Sequence, residues 1–226
     1  MQRGNRLRHR TAISIIIIAL VFYLPMVGCS RNVDRSRGVY MLVDTSGTYV
    51  TELDKARAII NYLLGTLQSG DTLAVGRIDT GSFSEKDIVA KVTFDSRPSM
   101  ANNQKRAFQK KVSDFIGKVE RSDYTDISGG ILQATEYLNE AGSAKKYILI
   151  FSDLQEELAK NHVRDVPFQL KGFEVIALNV TKLREDIRDP KNYLQRVKRW
   201  RKKAEDGNGH WQVINDLDRL DHIFTK

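Results

Sequence analysis

The sequence predicts an α/β domain: a doubly wound, mostly parallel sheet of six strands, with helices on both faces and one antiparallel edge strand. Three observations lead there. The runs Val39–Val43 and Tyr147–Phe151 are short, continuously apolar and bounded by polar residues, the pattern of strands buried on both faces. Segments of helical spacing alternate with such runs along the chain, as connections between parallel strands require. Both runs are followed within two residues by an acid, Asp44 and Asp153. In open α/β sheets that carboxyl edge is where ligands bind.

The elements follow in order. Gly38–Asp44 is the first strand. Thr51 is expected to cap a helix in which Leu53, Ala56, Ile60, Leu63 and Leu67 share a face. Ser69-Gly70-Asp71 ends that helix, and Thr72–Ile78 is the second strand. Ile88–Phe94 alternates in polarity and reads as an edge strand. Residues 101–119 place Phe108, Val112, Phe115, Ile116 and Val119 in one helical stripe, with their lysines on a solvated face. The polar segment Ser122–Gly130 leads into a helix over about 126–141. After the strand 147–151, a short helix is expected over Glu156–Asn161, then a strand over Phe173–Val180 and a charged loop ending at Pro190. Residues 192–204 are amphipathic, with Tyr193, Val197, Trp200 and Ala204 on one side. His210–Ile214 is the last strand and Leu217–Phe224 the last helix. No internal repeat or low-complexity linker interrupts this pattern, so residues 37–226 read as one domain.

Composition narrows the function. With 41% hydrophobic and 28% charged residues in a chain of 226, the domain can bury a core and is not disordered by composition. The single cysteine, Cys29, excludes an internal disulfide framework and a multi-cysteine zinc site. The four histidines, His9, His162, His210 and His222, have no ligand-like spacing. Net charge is +8, but four of the 36 basic residues, Arg3, Arg6, Arg8 and Arg10, precede the first apolar run. Without residues 1–28, which contain no acid, 32 basic face 28 acidic residues, a balance of +4. Nucleic acid is therefore not an expected partner.

Residues 1–28 read as a signal peptide: a positive start, the apolar run Thr11–Val27 with Ile15-Ile16-Ile17-Ile18, and the small residue Gly28 before Cys29. Val27-Gly28-Cys29 resembles the lipobox of bacterial lipoproteins, although Met26 stands where that family prefers leucine. The resemblance implies that Cys29 is lipidated and that residues 29–36 form a short tether. Ser30 after the cysteine resembles the outer-membrane signal of a diderm bacterium. The run is also near the lower length for spanning a bilayer, so an uncleaved membrane anchor is the alternative. Either reading places the domain in the cell envelope, on a membrane, facing the periplasm or the outside.

Asp44-Thr45-Ser46-Gly47-Thr48 sets one carboxylate and spaced hydroxyls at the end of a buried strand. Asp153 follows a second such strand, and Thr125 precedes a glycine-bearing helix. These groups offer only oxygen, which suits a hard cation such as Mg²⁺. Taken singly, Asp44 could be a turn cap and Thr125 a helix cap. Together, over residues 39–224, they resemble the von Willebrand factor type A (VWA) domain, a Rossmann-like fold, and its metal-ion-dependent adhesion site. That site uses an aspartate–x–serine–x–serine run, a separate threonine and a separate aspartate. The resemblance implies that Ser46, Thr48 and Thr125 hold Mg²⁺ or Mn²⁺ through their hydroxyls. Asp44 and Asp153 would act mainly through bound water, and an acidic side chain of a protein partner would complete the shell. Thr48 replaces the second serine but keeps its hydroxyl. Leu154 stands where the family often has glycine, which bears on the shape of the loop after Asp153.

The expected function is that of a binding module and not an enzyme. A scaffold with a degenerate metal site is one alternative. A Mg²⁺-dependent hydrolase is another, since haloacid dehalogenase-type phosphatases also carry an acid after their first strand. Those enzymes need a second acid two residues on, and here that position is Ser46. No P-loop, dinucleotide glycine pattern or glycine-flanked nucleophilic serine occurs. Finally, residues 196–203 hold six basic residues around Trp200. Lys198, Arg199, Arg201 and Lys202 could be a solvated face or could meet anionic lipid head groups.

Overall fold

The computed structural model describes residues 35–47, 49–79, 81, 83–160, 162 and 165–224. The expected signal segment, Cys29 and Thr48 lie outside them. Six strands, β1 (Arg37–Asp44), β2 (Thr72–Ile78), β3 (Ile88–Thr93), β4 (Lys145–Phe151), β5 (Phe173–Leu178) and β6 (His210–Ile214), form one sheet in the order β3-β2-β1-β4-β5-β6. All neighbours are parallel except β2 and β3. The doubly wound, mostly parallel six-stranded sheet is therefore as expected, and its alternating strand is the antiparallel edge. Helices α1 (Leu53–Thr66), α2 (Pro98–Ile116), α3 (Ile127–Glu140), α4 (Arg184–Arg188) and α5 (Pro190–Asp206) connect the strands. Among the described residues no helix is long and apolar enough to cross a membrane.

β1 shows why both sides of the sheet must be covered. Its residues from Val39 to Val43 are all buried. Val39, Met41 and Val43 pack with Ile59 and Leu63 of α1 and Phe108 and Val112 of α2. Tyr40 and Leu42 point the other way, into a second core with Ile131 and Leu138 of α3 and Trp200 of α5. Alternate residues of a strand face opposite sides, and each buried side chain of this size contributes about 1.5–3 kcal/mol. The strand order reverses at β1: the chain moves from β1 to β2 and β3, then returns to β4 on the other side. The crevice at the carboxyl ends of β1 and β4 is thus the topological switch point, the usual ligand position of such sheets.

Several boundaries differ from expectation for local reasons. α2 and α5 begin earlier than their apolar stripes, at Pro98 and Pro190, because proline fits the first helical turn, where an N–H has no partner to lose. Asp189 caps α5 through the Lys191 N–H at 3.0 Å. Leu217–Phe224 winds as a 3₁₀ segment. Thr51 does not cap α1. It sits inside a 3₁₀ turn, Val50–Glu52, whose first N–H groups are already satisfied by the Ser46 carbonyl. The expected helix over Glu156–Asn161 does not form. The Glu157 backbone pairs instead with Thr125 in an antiparallel bridge, and the Glu156 carboxylate accepts the Ser128 N–H at 2.7 Å, at the amino end of α3.

α3 approaches β1 closely. A Cβ on Gly130 would lie 2.9 Å from Leu42 Cδ2, so glycine there lets the helix bring Thr125 toward the end of β1. Gly130→Val should overpack this contact and cost about 1–3 kcal/mol, read as a lowered midpoint in urea unfolding.

Candidate metal and ligand site

The site grows from the end of β1. Asp44 is fully buried. Its Oδ1 accepts the Ser46 N–H at 2.8 Å, an Asx turn that swings the chain off the strand. Its Oδ2 accepts the Ser152 hydroxyl at 2.6 Å, from the end of β4. The turn role foreseen for Asp44 is therefore present, alongside a cross-strand contact that its sequence position alone did not reveal. Thr45 turns away and donates to the Ile78 carbonyl at 3.0 Å, tying the loop to β2. Tyr49 anchors its far end: the buried ring packs edge-on to Phe151, and the hydroxyl donates to the Asn179 carbonyl beyond β5.

The segment bearing Thr125 docks alongside. Ser122 forms a parallel bridge with Ser46, with the Ser122 N–H donating to the Thr45 carbonyl at 3.0 Å. Thr125 is buried, and its backbone pairs reciprocally with Glu157 at 2.7 and 3.0 Å. Paired residues of an antiparallel bridge project to the same side, so Glu157 stands beside Thr125. The cap of α3 is Asp126, whose Oδ1 accepts the Gly129 N–H at 2.7 Å. The Thr125 hydroxyl is thereby released from the capping role.

Asp153 completes the convergence. It is buried, and its Oδ1 accepts the Gln155 N–H at 2.8 Å. Arg196, from the middle of α5, donates Nε to the Asp153 carbonyl at 2.8 Å. The same guanidinium makes a two-pronged pair with Asp186 at 3.1 and 2.7 Å, and both partners are at most 4% exposed. Of the basic run 196–203, then, Arg196 is internal, as is Trp200, while Lys198, Arg199, Arg201 and Lys202 are exposed.

Ser46, Thr125 and Asp153 line one cleft of about 610 Å³, with Gly47, Arg121 and Glu157 among its other walls. Asp44 lies beneath, joined to it by Ser46 and Ser152. Burial pushes the Asp44 carboxyl up, against the hydrogen bonds from Ser152 and Ser46 and with the Glu157 carboxylate adding. Burial likewise pushes Asp153 up to about 6, the nearby Asp44 and Glu157 carboxylates adding and the Gln155 N–H and Arg196 opposing. Two buried acids whose burial resists ionisation, beside two hydroxyls, fit a divalent cation that would hold both as carboxylates. The fit depends on hydroxyls: among the described residues no group of three or more His, Cys, Asp or Glu is placed to hold an ion.

A scan against protein-family models finds no match, and a search of curated proteins finds none. Among solved structures, the chain is similar to a von Willebrand factor type A protein from Catenulispora acidiphila, at 17% identity and a TM-score of 0.55. The match covers 84% of this chain and 41% of that one. It is also similar to the open conformation of the pilus adhesin SpaC from Lactobacillus rhamnosus GG, at 12% identity and a TM-score of 0.52, over 85% of this chain and 29% of that one. The chain spans less than half the length of either structure.

The fold is of the VWA type.

Against this VWA-like frame, Leu154 keeps the backbone that a glycine would take. Its φ is 66°, in the left-handed region, at a cost of about 1–2 kcal/mol for a residue with a Cβ. Burial of its side chain in the second core offsets this. Two hydrogen bonds hold the turn: the Leu154 N–H donates to Ser152 Oγ at 3.0 Å, and Trp200 Nε1 donates to the Leu154 carbonyl at 2.9 Å.

Sequence reasoning named Asp44, Ser46, Thr125 and Asp153, which the structure brings to one crevice. It missed Glu157 in the wall of that crevice, and Ser152 and Arg196, which are buried and hold its loops. The hydroxyl directly before Asp153 was a readable signal for Ser152. Glu157 and Arg196 had none, because a helical reading hid the first and a basic run hid the second.

Two outcomes test this construction. A carboxyl whose folded pKa lies above its unfolded value near 4 favours the fold in its protonated form. Its contribution is full below about pH 4 and is lost as pH rises through about 6. Asp153→Asn should remove that loss, so in EDTA above pH 6 the variant is expected to melt higher than the parent, with the difference vanishing near pH 4. Arg196→Ala leaves Asp186 buried without its partner and should cost about 3–5 kcal/mol, measured by chemical denaturation.

Proposed function

We propose that this protein is an envelope-anchored, VWA-like binding module that engages a protein partner through a bridging Mg²⁺ or Mn²⁺. The observation that carries the reading is the gathering of Asp44, Ser46, Thr125 and Asp153 at the switch-point crevice, with Asp126 taking over the cap of α3. Thr48 would add a third hydroxyl from the same loop. In this reading the hydroxyls of Ser46, Thr48 and Thr125 face the ion, and Asp44 and Asp153 hold its water ligands. When bound, the ion supplies an electrophilic position for an acidic side chain of the partner. Keeping the carboxylates out of direct contact preserves its appetite for that extra oxygen. The other features of the reading are lipid attachment at Cys29 and a non-enzymatic role. The latter is supported by Asp44, whose two oxygens are both engaged in hydrogen bonds, a poor arrangement for a nucleophile.

A second contact is favoured by one observation. Lys198, Arg199, Arg201 and Lys202 remain exposed on α5 while Arg196 and Trp200 turn inward, which suits a supplementary attraction to anionic head groups.

The first test is calorimetric titration of Mg²⁺ and Mn²⁺ into the full chain in neutral detergent. Saturable binding to the parent is expected, with affinity reduced by at least tenfold in Thr125→Ala and Asp44→Ala, a difference of about 1.4 kcal/mol or more. Equal binding by the parent and both variants would refute the site.

A further inference from the structure

One charged group at the cleft has no role in holding the ion. Arg121 precedes the Ser46–Ser122 bridge, and that bridge lays its side chain across Gly47, the residue between the two motif hydroxyls. The approach is so close that a Cβ on Gly47 would occupy the space of the guanidinium. Arg121 is exposed and lines the same cleft as Ser46, Thr125 and Asp153. Among the described residues it takes part in no ion pair, although Asp123, Asp153, Glu157 and Glu185 share the cleft walls. Arg184 also lines the rim, but it belongs to α4 and is not laid on the motif loop.

A guanidinium set beside a divalent cation is a poor arrangement for metal affinity, because two positive groups repel. It is a good arrangement for an anion that touches both. The guanidinium presents N–H donors matched to carboxylate oxygens, and glycine at position 47 is what lets it approach the loop so closely.

We infer that Arg121 is a specificity-determining residue: a partner carboxylate drawn to this cleft would be held by the Arg121 guanidinium as well as by the divalent ion that Ser46, Thr125 and Asp153 would hold. Gly47 is its positioning residue. This inference rests on the metal reading above and adds to it the group that selects a carboxylate over a neutral oxygen ligand such as an amide. It also predicts that the site weakens its own hold on the metal in exchange for a hold on the anion.

The test uses the full chain in neutral detergent, with Mn²⁺ as the metal and acetate as the carboxylate probe. Mn²⁺ affinity is read from the EPR signal of the free ion. Acetate affinity for the Mn²⁺-loaded site is read from paramagnetic relaxation of the acetate methyl protons, with acetamide as the neutral control. Arg121→Gln is expected to bind Mn²⁺ as tightly as the parent or more tightly, and acetate about five- to tenfold more weakly, with acetamide unaffected. Arg121→Lys, which keeps the charge but not the guanidinium, should fall between them. Gly47→Ala should weaken acetate binding like Arg121→Gln and add nothing to it in the double variant. Mn²⁺ binding with equal acetate affinity in parent and Arg121→Gln would overturn the clamp and leave the metal reading standing. A loss of Mn²⁺ affinity in Arg121→Gln would also overturn it, since the residue would then support the ion. No Mn²⁺ binding by the parent would remove the metal reading itself, and the clamp with it.

Discussion

The hydrogen bond from Ser152 Oγ to Asp44 Oδ2 is the tie on which the functional edge depends. It joins the ends of β1 and β4, neighbours in the sheet but 108 residues apart along the chain. Ser152 then accepts the Leu154 N–H, so one hydroxyl fixes both the buried acid of the first loop and the turn of the second. Without it, Asp44 would keep only its local Asx turn, and the loop carrying Asp153 would lose its link to the first strand. Because the groups are buried, the satisfied relay also avoids the penalty of leaving a polar atom unpaired.

The second support comes from the opposite flank. α5 reaches the same loop twice, through Arg196 to the Asp153 carbonyl and through Trp200 to the Leu154 carbonyl. These contacts hold a left-handed leucine in place and pin the backbone of Asp153, whose carboxylate accepts the Gln155 N–H. They also divide the basic run of that helix into two populations. Arg196 is structural, consumed by Asp186 and the loop, and Lys203 sits 3.3 Å from Glu156, near the amino end of α3. What remains outward is a smaller patch than the sequence suggests.

The fold was legible because its signals are local. Buried apolar runs identify β1 and β4 without reference to anything distant, and the alternation of β3 identifies an edge. The meeting of Asp44, Ser46, Thr125 and Asp153 was legible because each stands just after a buried strand or just before a helix, positions that the topology brings to one edge of the sheet. What escaped was set by tertiary contact. Glu156 and Glu157 have ordinary helical propensity, yet one accepts the Ser128 N–H at the amino end of α3 and the other pairs with Thr125, and both uses outweigh a short isolated helix. Thr51 looked like a cap because nothing in its surroundings tells that Ser46, five residues earlier, already satisfies the turn. Arg196 and Arg121 look alike in sequence, but one is buried in a bidentate pair and the other lies open on a glycine.

The domain's amino-terminal end has its own geometry. Ser36, the residue before β1, accepts the Lys145 N–H at 3.1 Å through its carbonyl, so the chain joins the sheet at the start of β1 and β4. The crevice lies at the other end of those strands. A strand of this length rises about 23 Å, roughly three Debye lengths at physiological ionic strength. Charges at the amino-terminal edge of the sheet are therefore screened from the crevice, which takes its field from its own walls, among them Arg121, Asp153 and Glu157. Occupancy of the crevice would follow those local groups, and substitutions at the far edge of the sheet would leave it unchanged.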